Sequence, residues 1–244
     1  MSSTHRADEL PIGERVDSSP AKVPQRGTLR GRYVTLEALN PAVHGESLWA
    51  NLGGQQNASL WVYVFDGPYL ERAAFDVELE RKAASQDYLF FAVVDHESER
   101  ALGLVAYLNI HPAHRSIEVG SILYSQTLQR TRGATEAMYL MARHAFEDLA
   151  YRRYEWKCNA LNEPSRRAAA RFGFTFEGIF RQHLIVKGRN RDTAWFSMLD
   201  GEWPARKAAF ERWLEPGNFD PHGRQKSALT VRIAEGRESG GANS

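Results

Sequence analysis

Two short stretches carry residues whose types and spacing could do chemistry. The first, "LQRTRGATEA" over residues 128–137, places Arg130, Thr131, Arg132, Gly133 and Thr135 between an apolar strand pattern and an apolar-striped helix pattern. The first N–H groups of a helix lack intrahelical partners and sit at the positive end of its dipole. A strand-to-helix junction of this kind therefore attracts anions, phosphate above all. A solvated arginine-rich loop capped by a threonine would account for the same residues taken alone. The second stretch, "NALNEPSRRAAARFGFTFEG" over residues 159–178, repeats the arrangement. Asn162 suits a helix N-cap, Pro164 an early helical position and Gly173 a C-cap, which is a complete structural account in itself. His111 and His114 enclose the turn "HPAH" but find no third ligand at a suitable spacing, so they read as exposed turn residues and no metal site is expected.

The elements that must position these stretches follow from periodicity. Ala134, Met138, Met141, Ala142, Ala145 and Leu149 recur at the spacing of one buried helical face, so a helix starts near Gly133. Upstream, "IEVGSILYS" over residues 117–125 reads as a strand. Earlier in the chain, "RYVTLEAL" reads as a strand, "PAVHGESLWANL" as a helix opened by proline, and residues 69–85 as another helix. "YLFFAVVD" and "ALGLVAYLNI" form a hairpin that "RSIEVGSILYS" extends. Later come the strand "YEWKCNAL", a helix over residues 162–172, two long strands turned by "GRNR", and a closing helix in "EWPARKAAFERWL". This order predicts an α+β domain: a mixed, mostly antiparallel central sheet flanked by helices on both faces.

Composition bounds the partners. The formal net charge of the 244 residues is +1, too small to imply nucleic acid or an anionic membrane as a general partner. Cys158 is the single cysteine, read as a small buried strand residue, so no intrachain disulfide is possible. No apolar run approaches membrane-spanning length and the N-terminus lacks an apolar signal core, which predicts a cytoplasmic protein. Residues 1–25 and 218–244 are rich in small, charged and proline residues without periodicity; they read as flexible tails on one domain over residues 26–217.

Taken in order, "IEVGSIL", "LQRTRGATEA" and "NEPSRRAAARFGF" resemble the coenzyme-binding elements of the GNAT superfamily of N-acetyltransferases, most closely its RimJ/RimL-type branch. The resemblance spans residues 28–214, and its specificity lies in the "ATEA" ending, the Asn-x-x-Ser spacing and the terminal Gly-Phe occurring together. It implies that backbone amides of Gln129, Arg130, Thr131, Arg132, Gly133 and Ala134, with Thr135 beside them, hold the phosphates of acetyl-CoA. The family commonly has glycine where this chain has Arg132, so that side chain must turn outward for the backbone to meet phosphate. A bulky residue at Gly133 or Ala134 is expected to weaken coenzyme binding with the fold intact.

The resemblance further implies that Asn162 bonds the pantetheine or acceptor side, that Ser165 protonates the departing thiolate, and that Glu118 is the base. A strand amide near Leu123 or Tyr124 would meet the oxyanion. Glu118 could equally be a surface-facing strand carboxylate and Ser165 a first-turn cap. Trp61, Tyr63, Phe65 and Trp195 are candidates to line the amine site, or core residues. The implied function is direct acetyl transfer to a primary amine of a small molecule or a protein N-terminus, by a monomer or homodimer without a metal. A catalytically silent acyl-CoA-binding or sensing module is the alternative, and RNA binding through Arg130, Arg132, Arg166 and Arg167 is disfavoured by the charge balance.

Overall fold

The computed structural model describes residues 11–229. Eight strands form one sheet: β1 (Thr28–Arg30), β2 (Val34–Ala38), β3 (Leu89–Asp95), β4 (Ala101–His111), β5 (Ser116–Tyr124), β6 (Arg153–Asn159), β7 (Thr175–Val186) and β8 (Arg189–Leu199). Their spatial order is β1-β2-β3-β4-β5-β6-β8-β7. Neighbours pair antiparallel except β5 and β6, which run parallel. A parallel pair needs a crossover, and α3 (Arg132–Arg143), whose last turn widens to π geometry over His144–Asp148, supplies it. This is the α+β architecture expected from the sequence, with α1 (Pro41–Leu52) and α2 (Arg72–Ala84) on one face and α3, α4 (Glu163–Arg171) and α5 (Trp203–Leu214) on the other.

Each face has its own core. Leu48, Leu52, Trp61, Phe75 and Leu79 pack on Phe90, Leu104 and Leu123 on the α1/α2 side. On the other side the stripe Ala134, Met138, Met141, Ala142 and Ala145 of α3 packs with Ile117, Val119, Tyr154 and Trp156. Alternation along β6 buries Tyr154, Trp156 and Cys158 in this second core, which leaves Arg153, Glu155, Lys157 and Asn159 on the opposite face.

Several boundaries differ from the sequence reading. β1 and the 3₁₀ segment Gln55–Trp61 were not anticipated, and α2 begins at Arg72 rather than near residue 69. The β7–β8 turn is Lys187–Gly188, not "GRNR": both residues have positive φ (49° and 71°), as a two-residue hairpin turn with the twist of its strands requires. Asn190 and Arg191 consequently belong to β8. Of the segments expected to be tails, residues 1–10 and 230–244 lie outside the described residues. The described remainder touches the domain: Ala21 donates to Pro112 O, while Phe219 and Leu229 are buried in the core.

Glu136, buried in the second turn of α3, fixes the N-terminal hairpin. Its carboxylate accepts from the backbone N–H groups of Arg32 (2.7 Å), Tyr33 (2.6 Å) and Val34 (2.9 Å), the turn between β1 and β2. A Cβ at Gly31 would fall 2.4 Å from Glu136 Cδ, so only glycine allows this approach. Glu136→Gln replaces one acceptor oxygen with a donor facing N–H groups. It is expected to lower stability by about 1.5–3 kcal/mol, read as an earlier urea midpoint with an unchanged slope.

Candidate active site

β5 and β6 are paired only where Ser116 to Val119 lie beside Arg153 to Trp156. Beyond that point β5 stays with β4 as far as Tyr124, and β6 stays with β8 as far as Asn159 opposite Thr193. A bulge at Ser121, at φ 48°, shifts the β4–β5 register between Leu104 and Ala106. The two central strands therefore part, and a cleft of about 1820 Å³ opens between them, lined by residues from both faces of the sheet. Leu123 and Tyr124 stand on its β5 wall; the Tyr124 hydroxyl is buried without a partner among the described residues, and burial pushes its pKa up.

One end of the cleft is the first turn of α3. Thr131 is the N-cap, its Oγ1 accepting from Ala134 N at 3.1 Å, and Arg130 has φ 64°. Gln129 N and Thr131 N are used within the turn, bonded to Ser125 O and Leu128 O, while Gln129 Nε2 folds back to Tyr124 O. The amides of Arg130, Arg132 and Gly133 take no partner among the described residues, and they form a positive helix end of the kind that binds phosphate. The Arg132 guanidinium turns away, 4.6 Å from the Tyr33 ring centroid and 5.6 Å from that of Phe219, which frees the backbone beneath it. Thr135 Oγ1 accepts from Arg171 Nη1 at 3.1 Å, and Arg171 also lies over Trp213. Burial lowers the Arg171 pKa, and the residue has no carboxylate partner among the described residues.

The expectation that bulk at Gly133 or Ala134 would leave the fold intact is corrected here. A Cβ at Gly133 would meet Val34 Cγ1 of β2 at 2.8 Å, and Ala134 is buried in the core at the wall of the cleft. Added bulk there costs stability first.

Across the cleft lies the start of α4. Asn162 Oδ1 accepts from Ser165 N at 3.2 Å, so Asn162 is the cap and its Nδ2 is left to face the cleft. Ser165 is therefore not the capping residue. Its Oγ accepts from Trp156 Nε1 at 3.1 Å, and its hydroxyl lines the cleft within hydrogen-bonding reach of the Cys158 thiol. Burial raises the pKa of neighbouring Cys158, a free thiol in the core, as the sequence suggested.

On the opposite face, Glu118 is 4% exposed, not a surface carboxylate. Its Oε2 accepts from Asn109 Nδ2 at 2.6 Å and Lys157 Nζ at 2.8 Å. Burial pushes its pKa above the ordinary carboxylate value, against the opposing pull of Lys157 and Asn109. Lys157 also pairs with Glu155 at 2.8 Å and sits 4.0 Å above the Trp195 ring. Despite burial, the hydrogen bonds from Lys157 and Arg153 hold Glu155 below its usual range. The aromatic residues expected around an amine line this side: Trp61 is fully buried, Tyr63 donates to Leu161 O, Phe65 lies under Arg191, and Trp195 stacks on Phe180. His111 and His114 are exposed, and no group of metal-ligating side chains occurs among the described residues. Sequence reading passed over Lys157, Arg171 and Arg191. The alternation of "YEWKCN" could have placed Lys157 on the face of Glu155.

A family model described as an acetyltransferase (GNAT) domain matches residues 35–175. A GCN5-related N-acetyltransferase from Brucella melitensis is 49% identical, with a TM-score of 0.85 over 87% of this chain and 96% of that one. A curated protein of Bacillus subtilis (strain 168), "Putative ribosomal N-acetyltransferase YdaF", is 30% identical over 43% of this chain, which spans 57% of that relative's length. An acetyltransferase for microcin C7 self immunity, solved with acetyl-CoA and AMP, is 18% identical with a TM-score of 0.61 over 69% of this chain and 93% of that one, a likeness of fold. The ribosomal relative agrees with the RimJ/RimL-like branch, and the chain belongs to the GNAT acetyltransferase family.

Proposed function

We propose that this protein transfers the acetyl group of acetyl-CoA to a primary amine by direct attack. The observation that carries the reading is the parted pair β5 and β6, with unpartnered helix-end amides at one end of the cleft and a buried carboxylate on the far face. Acetyl-CoA supplies the activated thioester. The amides of Arg130, Arg132 and Gly133 hold its pyrophosphate, with Gln129, Thr131, Ala134 and Thr135 shaping the turn, and Arg171 adds a cation beside Thr135. Asn162 Nδ2 bonds the pantetheine arm, and a backbone amide near Leu123 or Tyr124, on the edge of β5 that β6 no longer covers, meets the carbonyl oxygen. Glu118 takes the amine proton and Ser165 donates to the leaving sulfur.

Coenzyme A alone should raise the melting temperature in step with the logarithm of its concentration once saturating, as linkage requires, and dephospho-coenzyme A should raise it less. Thiol release over a panel of amines then separates an enzyme from a silent coenzyme-binding module; saturable binding with no thiol release from any amine would establish the module.

The Glu118 environment sets a pH dependence. A base works when deprotonated, so kcat at saturating amine should fall as pH drops through the raised Glu118 pKa. Lys157→Met removes the cation that favours the charged form and should move this acid limb to higher pH. Glu118→Gln should keep acetyl-CoA affinity and lose about 10²–10⁴-fold in kcat. An acid limb unmoved in Lys157→Met would place the titration on another group.

Ser165→Ala should lower kcat well below its melting temperature, and the loss should shrink with an acyl donor whose thiol has a low pKa. It also leaves Trp156 Nε1 without an acceptor, a cost of about 1–3 kcal/mol, visible in a thermal melt. Asn162→Ala should cost about 0.5–2 kcal/mol as a lost cap and raise the KM for acetyl-CoA, whereas the loss in Ser165→Ala should lie in kcat at saturating acetyl-CoA.

A further inference from the structure

Arg191 is an arginine the proposed chemistry does not use. It is only 6% exposed and lines the cleft, with its guanidinium 4.5 Å from the Phe65 ring centroid. Its single hydrogen bond within the protein among the described residues runs from Nε to Thr193 Oγ1 at 3.3 Å, and no carboxylate pairs with it there. Buried charges are otherwise paired, because removing an ion from water costs several kcal/mol. The two lysines of this cleft obey that rule: Lys157 holds Glu118 and Glu155, and Lys82 holds Asp66 and Glu78. Arg171, which the proposed reaction uses at its phosphate end, like Arg191 pairs with no carboxylate among the described residues. Burial lowers the Arg191 pKa, a direction that a bound anion would reverse. Its planar fork, with both Nη groups unpartnered among the described residues, matches an oxyanion bidentately.

Arg191 is on the acceptor face. Lys157 pairs with Trp195 and Asn159 with Thr193 across β6 and β8, so Arg191, Thr193 and Trp195 project to the side that carries Glu118 and Lys157. Four residues of strand separate Arg191 from Trp195, a rise of about 13 Å. Phe65 closes over the guanidinium, and Lys187 Nζ bonds Trp61 O at 2.7 Å, so the β7–β8 hairpin and the 61–65 segment form a wall around it.

We propose that the acceptor is a small amine that also carries an oxyanion, a carboxylate or a phosphate, bound by Arg191, with several bonds between the two groups. This rests on the acetyl-transfer reading and names its substrate class. The amine lies at Glu118 and the anion lies on the Arg191 fork beside the Thr193 hydroxyl. Neutral or purely cationic amines leave that fork empty.

Calorimetric titration of the full chain without acetyl-CoA tests the site independently of turnover. The probes are ω-amino acids of increasing chain length, their amides, and aminoalkyl phosphates. The acid form at the matching length should bind about 10- to 100-fold more tightly than its amide, and the tighter of carboxylate and phosphate names the source. Arg191→Gln should remove that preference and Arg191→Lys should keep part of it, while binding of the amide stays as in the wild type. In the acetylation assay the same change should raise KM for the acid with little change in kcat. Equal or undetectable binding of acid and amide by the wild type overturns the proposal, as does a folded Arg191→Gln protein that retains the preference. Acid preference without any acetyl transfer supports the anion site and overturns the acetyltransferase reading alone.

Discussion

The parting of two parallel strands is the constraint on which this molecule depends. Inside a sheet each strand normally satisfies its backbone on both sides, and a buried peptide group without a partner is costly. Here β5 and β6 give up pairing after Val119 and Trp156, in the middle of an eight-stranded sheet. The loss is tolerable only because the opening is a cleft that water or a ligand fills. The bulge at Ser121 bends β5, and β6 keeps its other edge on β8. The first turns of α3 and α4 both border the gap: α3 brings amides without partners among the described residues, while the amides of α4 are used within its own cap and it offers the side chains of Asn162 and Ser165 instead.

A gap of this kind must be held by what surrounds it. The first turns of α3 are anchored twice. Glu136 takes three amides of the β1–β2 turn, and a carboxylate near a helix N-terminus also faces the favourable end of the dipole. Arg132 rests between Tyr33 and Phe219, so the N-terminal hairpin and the segment after α5 grip one arginine from two sides. That grip lets a large side chain occupy a position where the backbone proposed to bind phosphate must stay accessible. Gly133 has the complementary role: without a side chain it lets the helix approach Val34.

The parts of the site legible in the sequence were those encoded locally. The helix start at Thr131, where phosphate binding is proposed, follows from a strand pattern, a threonine and a helical stripe within about twenty residues, and the Asn162 cap from its place before Pro164. What escaped were partnerships across the sheet. Glu118 was balanced between surface and site because alternation along β5 says which residues share a face, not which face is covered. Only its neighbours Asn109 and Lys157, on two other strands, decide its burial. Arg191 was lost to a turn placed one step late: "GRNR" looks like a loop, but the positive φ of Lys187 and Gly188 completes the reversal in two residues and draws Arg191 into β8. Local turn chemistry thus decided whether a charged residue faced solvent or the cleft.

The two oxygens of Glu118 divide its tasks. Oε2 receives both Asn109 and Lys157, which fixes the carboxylate and favours its charged form in a buried place. Oε1 has no partner among the described residues and lies 3.3 Å from where a Cβ at Gly120 would stand. Gly120 shares the face of Glu118, two residues along β5, so any side chain there would fill the space through which the proposed amine would reach Oε1. It would also meet Leu108 Cδ2 at 2.8 Å, so the packing beneath and the opening above both require glycine at the same position. An amine arriving at Oε1 need not displace Lys157. In the proposed reaction the cation that favours the charged carboxylate would therefore remain in place while Glu118 took a proton from the other side.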